Sequence, residues 1–235
     1  MATLNTTRWI GIGLLGLPLY GALTFWSSLE GQPDPSTQLE AWSRFVTTNE
    51  YVWGHLLGSI FGLIFVIFGL FALGVYLATS YASRLGLAAM VITVLGSALF
   101  LPLQGVATFA APEEGQAVLA GLEEFEALPP IFANTVQGLT ALVVILLGFV
   151  GNILVGLAVW RSRTLPKGAG ALWAGAHVLM YLSLMYGQTI GPSSTPLTVP
   201  LGALVVMISG AWMAWSVLRG SSAQAVRAAS QPRVR

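Results

Sequence analysis

Residues 52–78 read VWGHLLGSIFGLIFVIFGLFALGVYLA, with no Asp, Glu, Lys or Arg and one strongly polar side chain, His55, near the start. As a helix rising 1.5 Å per residue this stretch runs about 40 Å, more than the ~30 Å hydrocarbon core of a bilayer. It reads as a transmembrane helix, tilted or projecting a little, and its flanks organise the rest of the chain.

The whole sequence shares its character. Of 235 residues, 55% are hydrophobic and 8% charged, against roughly 25% charged in soluble domains, too few charges to clothe a water-exposed surface. Apolar segments at about 9–26, 52–78, 85–109, 131–160, 169–190 and 199–218 predict an all-α integral membrane protein, a six-helix bundle in one domain over 1–218. The first segment is longer than a signal-peptide core and no A-x-A site follows it, so an uncleaved helix is expected, bent by Pro18. Residues 219–235 are small, polar and basic without apolar periodicity, and a disordered tail is expected there.

Two loops carry apolar stripes. In 27–50, Thr37-x-x-Glu40 has the form of a capping box, and Leu39, Trp42, Phe45 and Val46 follow at helical spacing. In 110–130, Val118, Leu119, Leu122 and Phe125 run through an acidic stretch that includes Glu113, Glu114 and Glu123. Each predicts a short amphipathic helix lying on the outer membrane surface.

Charge sets the orientation. With the N-terminus cytoplasmic, Arg8, Arg84, Arg161, Arg163, Lys167, Arg219 and the three arginines of the tail all fall inside, and Arg44 alone lies outside. This bias predicts a multi-pass protein of a prokaryotic cytoplasmic membrane with both termini cytoplasmic. The same segregation leaves no basic face for nucleic acid, despite a net charge of +1.

No Cys occurs, which excludes disulfides, iron–sulfur clusters, thiolate zinc sites and haem attached through C-x-x-C-H. No Asp, Glu, Lys or Arg stands inside a predicted span, which removes paired carboxylates and argues against the titratable relay that pumps use. What remains is amides, imidazoles and phenols in two layers. His55, Gln104, Asn134, Gln137, Tyr186 and Gln188 lie near the outer ends of their helices. They are the candidate ligand-binding residues of an outward-facing pocket of at least ~300 Å³; their structural alternative is pairing across helix interfaces. Asn152 and His177, at matching depth on consecutive antiparallel helices, are expected to hydrogen-bond to each other as a structural pair.

Two histidines also raise a b-type haem, but their heights differ by more than one haem bridges, and no cofactor and no metal site is predicted. Gly58-x-x-x-Gly62 and Gly148, Gly151 and Gly156 offer close helix packing, within the chain, in a homo-oligomer or against another membrane protein. Trp9, Trp26, Trp42, Trp53, Trp160 and Trp173 are expected as interfacial anchors. Sliding the second hairpin by 79 positions aligns His55 with Asn134, Gly69 with Gly148 and Arg84 with Arg163, a repeat that would make helices two to five the core and leave one and six peripheral. The functional expectation is a non-enzymatic accessory subunit or binder of a small apolar or amphipathic ligand; the alternatives are a haem- or quinone-linked redox protein and a facilitative transporter or channel.

The orientation is testable because the chain has no cysteine. Glu113→Cys should react with an impermeant thiol reagent added to intact cells, and Arg161→Cys only after lysis; the reverse pattern would invert the topology.

Overall fold

The computed structural model describes residues 2–29, 31–122, 135–190 and 196–230, with side chains for 6–29, 31–122, 136–182 and 196–220. The described secondary structure is helical: α1 Ala2–Gly13, α2 Gly16–Ser27, α3 Leu39–Val46, α4 Asn49–Trp53, a π-helical segment Gly54–Phe61, α5 Gly62–Leu77, α6 Ser83–Leu119, α7 Thr135–Arg161, α8 Lys167–Ile190 and α9 Thr198–Ser230. Five stretches are long and apolar enough to cross a membrane: Thr6–Ser27, Asn49–Leu77, Ser83–Leu119, Val136–Arg161 and Thr198–Gly220.

Proline explains the break in the first column. Pro18 has no N–H for the carbonyl of Leu14, and that oxygen takes a tighter bond from Leu17 N at 3.0 Å instead. The chain turns at Leu14 and Leu15 and resumes as α2. The second column departs from a plain α-helix between Gly54 and Phe61, where the ladder widens to i→i+5 bonding. Apolar periodicity does not distinguish these two ladders over so short a run.

The columns form a closed ring in chain order: α2 packs on α5, α5 on α6, α6 on α7, α7 on α8 and α8 on α9, and α9 returns to α1 and α2. Helices one and six are therefore neighbours within the ring, which corrects the expectation of a four-helix core with two peripheral helices. Glycine brings each pair together. A Cβ on Gly16 would meet the Phe65 carbonyl, and one on Gly21 would stand 2.7 Å from Met207 Cα. The same test puts Gly96 3.1 Å from Gly148 N, Gly156 2.6 Å from the Gly170 carbonyl, and Gly202 3.1 Å from the Ala176 carbonyl. At the α5–α6 crossing, Gly74 lies under Met90. Gly58 seats Ser27 and the Leu23 carbonyl, so the GxxxG pair is used inside the chain. Gly69 faces Leu17 and Gly148 faces Tyr181, so these two aligned positions of the 79-residue repeat do different work.

Charges collect at the two ends of the ring. At the basic end Arg163, with φ 61°, lays its guanidinium 4.4 Å from the centre of the Tyr81 ring and ties the α7–α8 turn to the α5–α6 turn. Towards this end the middle of the ring is filled by buried Leu70, Leu73, Leu77, Val159, Trp173 and Met213. At the acidic end α6 overshoots. Its 37 residues span about 55 Å, well beyond the hydrocarbon core, and the projecting part is covered by α3 and α4 through Trp42, Val46, Tyr51 and Ala111.

Three expectations change here. The stretch 110–119 is the end of α6, not a separate amphipathic helix, and Leu119 and Leu122 are exposed; Phe125 lies outside the described residues. The capping box does not form, because the Thr37 and Gln38 N–H groups close a turn on the Asp34 carbonyl, leaving Gln38 at the cap and Glu40 free to pair with Arg44 at 2.7 Å. In that turn the Ser36 N–H and hydroxyl both donate to Asp34 Oδ1, which holds the exposed carboxyl below the usual aspartate range. Third, α9 continues as helix to Ser230, through most of the stretch read as disordered.

The glycine contacts predict a contrast in stability. Gly21→Leu should destabilise the protein by at least about 1–3 kcal/mol, because backbone atoms of α9 occupy the space. A methyl group added at Gly105 would meet nothing within 4 Å, so Gly105→Ala should stabilise by about 0.5–1 kcal/mol. Thermal unfolding in detergent reads both, and equal effects would sink the packing argument.

Candidate functional site

A cavity of about 60 Å³ lies inside the ring, walled by residues of five columns. Its polar lining is Tyr20, Thr93, Ser97, Asn152, His177 and Tyr181. Thr93 on α6, Asn152 on α7 and His177 on α8 each stand roughly 15 Å along their helices from the basic end, half the hydrocarbon thickness. The site is therefore at mid-depth, just beyond the apolar filling of the basic end. Close packing positions it: Gly151 accepts Thr93 against its Cα, and the Tyr181 hydroxyl lies over Gly148. Phe149 meets the Tyr181 ring edge-on at 5.8 Å.

Trp173 organises the polar wall. Its indole Nε1–H donates to Asn152 Oδ1 at 3.1 Å, and its carbonyl accepts from His177 Nδ1 at 2.8 Å. The indole and imidazole rings are stacked at 4.7 Å with a 37° tilt. Indole N–H only donates and a carbonyl only accepts, so both orientations are determined. Asn152 turns Oδ1 to Trp173 and donates through Nδ2 to the Gly148 carbonyl at 2.8 Å. His177 keeps its proton on Nδ1 in the neutral ring, leaving Nε2 a bare acceptor. That nitrogen is buried and has no hydrogen-bond partner among the described residues. Burying a polar atom unsatisfied costs about 1–3 kcal/mol, so the fold tolerates this group at a real cost.

Asn152 and His177 are thus not bonded to each other; Trp173 stands between them. The expectation of a direct pair is corrected because the imidazole finds its acceptor one helical turn back on its own backbone. Trp173 is itself fully buried and is no interfacial anchor; Trp42 is also buried, against α6. The spacing Trp173-x-x-x-His177 puts both rings on one face of α8 and is the sequence signal for this arrangement. Thr93 and Ser97 share the same spacing on α6, but small hydroxyl residues in a helix carry no distinctive pattern; Thr93 bonds its own helix at the Ala89 carbonyl, at 2.7 Å.

The outer-layer residues lie elsewhere. His55 repeats the aromatic–histidine motif on its own column: Nδ1 lies 3.1 Å from the Tyr51 carbonyl, the rings are 4.1 Å apart, and the Tyr51 hydroxyl donates to the Ala107 carbonyl at 2.8 Å. His55, Gln104 and Gln137 are half-buried and none lines the mid-depth cavity. Asn134 and the side chains of Tyr186 and Gln188 lie outside the described residues. The cavity is also far smaller than the ~300 Å³ expected of an outward pocket. Among the described residues no group of three His, Asp or Glu is placed to hold a metal ion. Compared with known protein families, characterised proteins and solved structures, the chain matches none.

With only two histidines in the chain, their tautomers can be read directly. Nitrogen NMR of protein labelled at histidine should show both neutral rings protonated on Nδ1. Trp173→Phe should cost about 1–3 kcal/mol by leaving Asn152 Oδ1 unpaired; a loss below ~0.5 kcal/mol would remove Trp173 from its organising position.

Proposed function

We propose that this is a non-enzymatic membrane protein of six spans, with α8 as the span beyond the five recognised by length and composition, that binds a small uncharged molecule at mid-depth inside its helix ring. The observation that carries the reading is the bare, buried Nε2 of His177 on the wall of a cavity with several hydroxyls and an amide. A polar atom in hydrocarbon surroundings is retained at a cost, and a bound donor would remove that cost. Among the described residues the cavity wall holds no Asp, Glu, Lys or Arg, so a charged ligand would lose its hydration without gaining a counter-charge. The orientation that fits has both termini cytoplasmic and the acidic end outside, in the cytoplasmic membrane of a prokaryote. The apolar filling towards the basic end weighs against a continuous polar pore, and so against a channel.

Size sets how such a site works. A ligand of about four non-hydrogen atoms at the ceiling of about 1.5 kcal/mol per atom reaches roughly 6 kcal/mol, a Kd in the tens of micromolar at best. Occupancy then follows ambient concentration, which suits sensing or hand-over and does not suit storage.

The test is a panel of small uncharged polar molecules, read by thermal unfolding of the purified protein beside Ser97→Leu, which fills the cavity. At a hundred times its Kd a true ligand should stabilise the wild type by about 2.7 kcal/mol and leave the variant unchanged. Equal responses in the two proteins across the panel would refute the reading.

A further inference from the structure

The hydrogen-bond inventory of the cavity wall specifies more than polarity. Three of the lining groups have their commitments fixed by partners that can play one part only. Thr93 gives its hydroxyl proton to the Ala89 carbonyl, so towards the cavity its oxygen can only accept. His177 gives its ring proton to the Trp173 carbonyl, so Nε2 can only accept. Asn152 has Oδ1 taken by the Trp173 indole and one Nδ2–H taken by the Gly148 carbonyl, and it has one N–H left to donate. These three residues therefore offer two acceptors and one donor from three neighbouring columns, beside the hydroxyls of Tyr20, Ser97 and Tyr181.

From this complement we propose that the ligand is a primary amide or urea: an uncharged molecule whose NH₂ group donates to His177 Nε2 and Thr93 Oγ1 while its carbonyl accepts from Asn152 Nδ2. An alcohol has a single proton to give and reaches one of the two acceptors. A ketone has none and leaves both bare. An ammonium or carboxylate ion brings charge that no lining residue answers. A compact amide of about four non-hydrogen atoms suits a cavity of about 60 Å³. Trp173 is a positioning residue in this scheme, because it holds both Asn152 and His177 in the required orientation without itself needing to touch the ligand.

This inference rests on the mid-depth binding site proposed above, and acetamide and acetone separate the two claims. They are close in size and shape and differ by NH₂ against CH₃. The readout is the Nε2 resonance of His177 in protein labelled with ¹⁵N at its two histidines, with His55 as an internal reference and His177→Gln to assign the signal. Acetamide and urea should shift the His177 Nε2 signal saturably, acetone should do so at least about tenfold more weakly, and Ser97→Leu should abolish the effect while the Nδ1–H tautomer persists. Equal shifts from acetamide and acetone would overturn the amide assignment while leaving a small-molecule site standing. No shift from either, the result for a cavity that takes water alone, would overturn both. Asn152→Leu adds a second arm: it should weaken acetamide at least about tenfold, and unchanged affinity would remove the carbonyl contact and with it the amide class.

Discussion

Helices in hydrocarbon gain little by burying apolar side chains against one another, since lipid tails are equally apolar, so association depends on how closely the backbones approach. This chain meets that requirement with glycine at every joint of its ring. Gly16 and Gly69 join the first two columns, Gly96 and Gly151 bring α6 to α7, Gly156 and Gly170 bring α7 to α8, and Gly21 and Gly210 close α2 onto α9. The closing contact matters most for shape. Without it the helices would form an open sheet of hairpins, and the mid-depth cavity would face lipid.

A ring closed so tightly leaves little room inside, and what is left is unevenly filled. Towards the basic end, leucines, Trp173 and Met213 occupy the middle; at mid-depth the lining turns to threonine, serine, asparagine, histidine and tyrosine. The transition falls within one turn of α8, between Trp173 and His177. Trp173 belongs to both regions: its indole fills the apolar core, while its N–H and carbonyl set the orientation of the two polar residues beside it. A single large side chain therefore couples the packing of the core to the hydrogen-bonding capacity of the cavity.

The acidic end is built on a different principle. There α6 leaves the hydrocarbon region, and its exposed backbone and apolar face must be covered by chain rather than lipid. The short helices α3 and α4 do this, with Gly115 admitting Val46 and the Ser43 carbonyl. The Tyr51 hydroxyl, bonded to the Ala107 carbonyl, pins the start of the second column to α6 just before the π-helical segment and His55. The aromatic–histidine pair recurs here, half-buried and away from the cavity. The same local geometry serves a cavity wall in one place and a helix end in the other, according to what surrounds it.

Much of the architecture was legible in the residues alone, because hydrocarbon demands long uncharged runs and leaves charge only at their ends. The helical class, five of the crossing stretches and the segregation of basic from acidic loops all follow from that demand. Pro18 announced the break in the first column, since a missing N–H is a local fact. Three things depended on the folded chain. Ring closure rested on which glycine faced which helix, and near-uniform apolar sequences do not encode that choice in any short pattern. The extent of α6 was decided by α3 lying against it, a contact between residues some seventy positions apart. The polar-walled cavity lies at the middle of the helices, where Asn152 and His177 take Trp173 as their partner instead of each other. Sequence specified which side chains could hydrogen-bond; only tertiary placement determined which of those capacities were already used and which, at His177 Nε2, were left open.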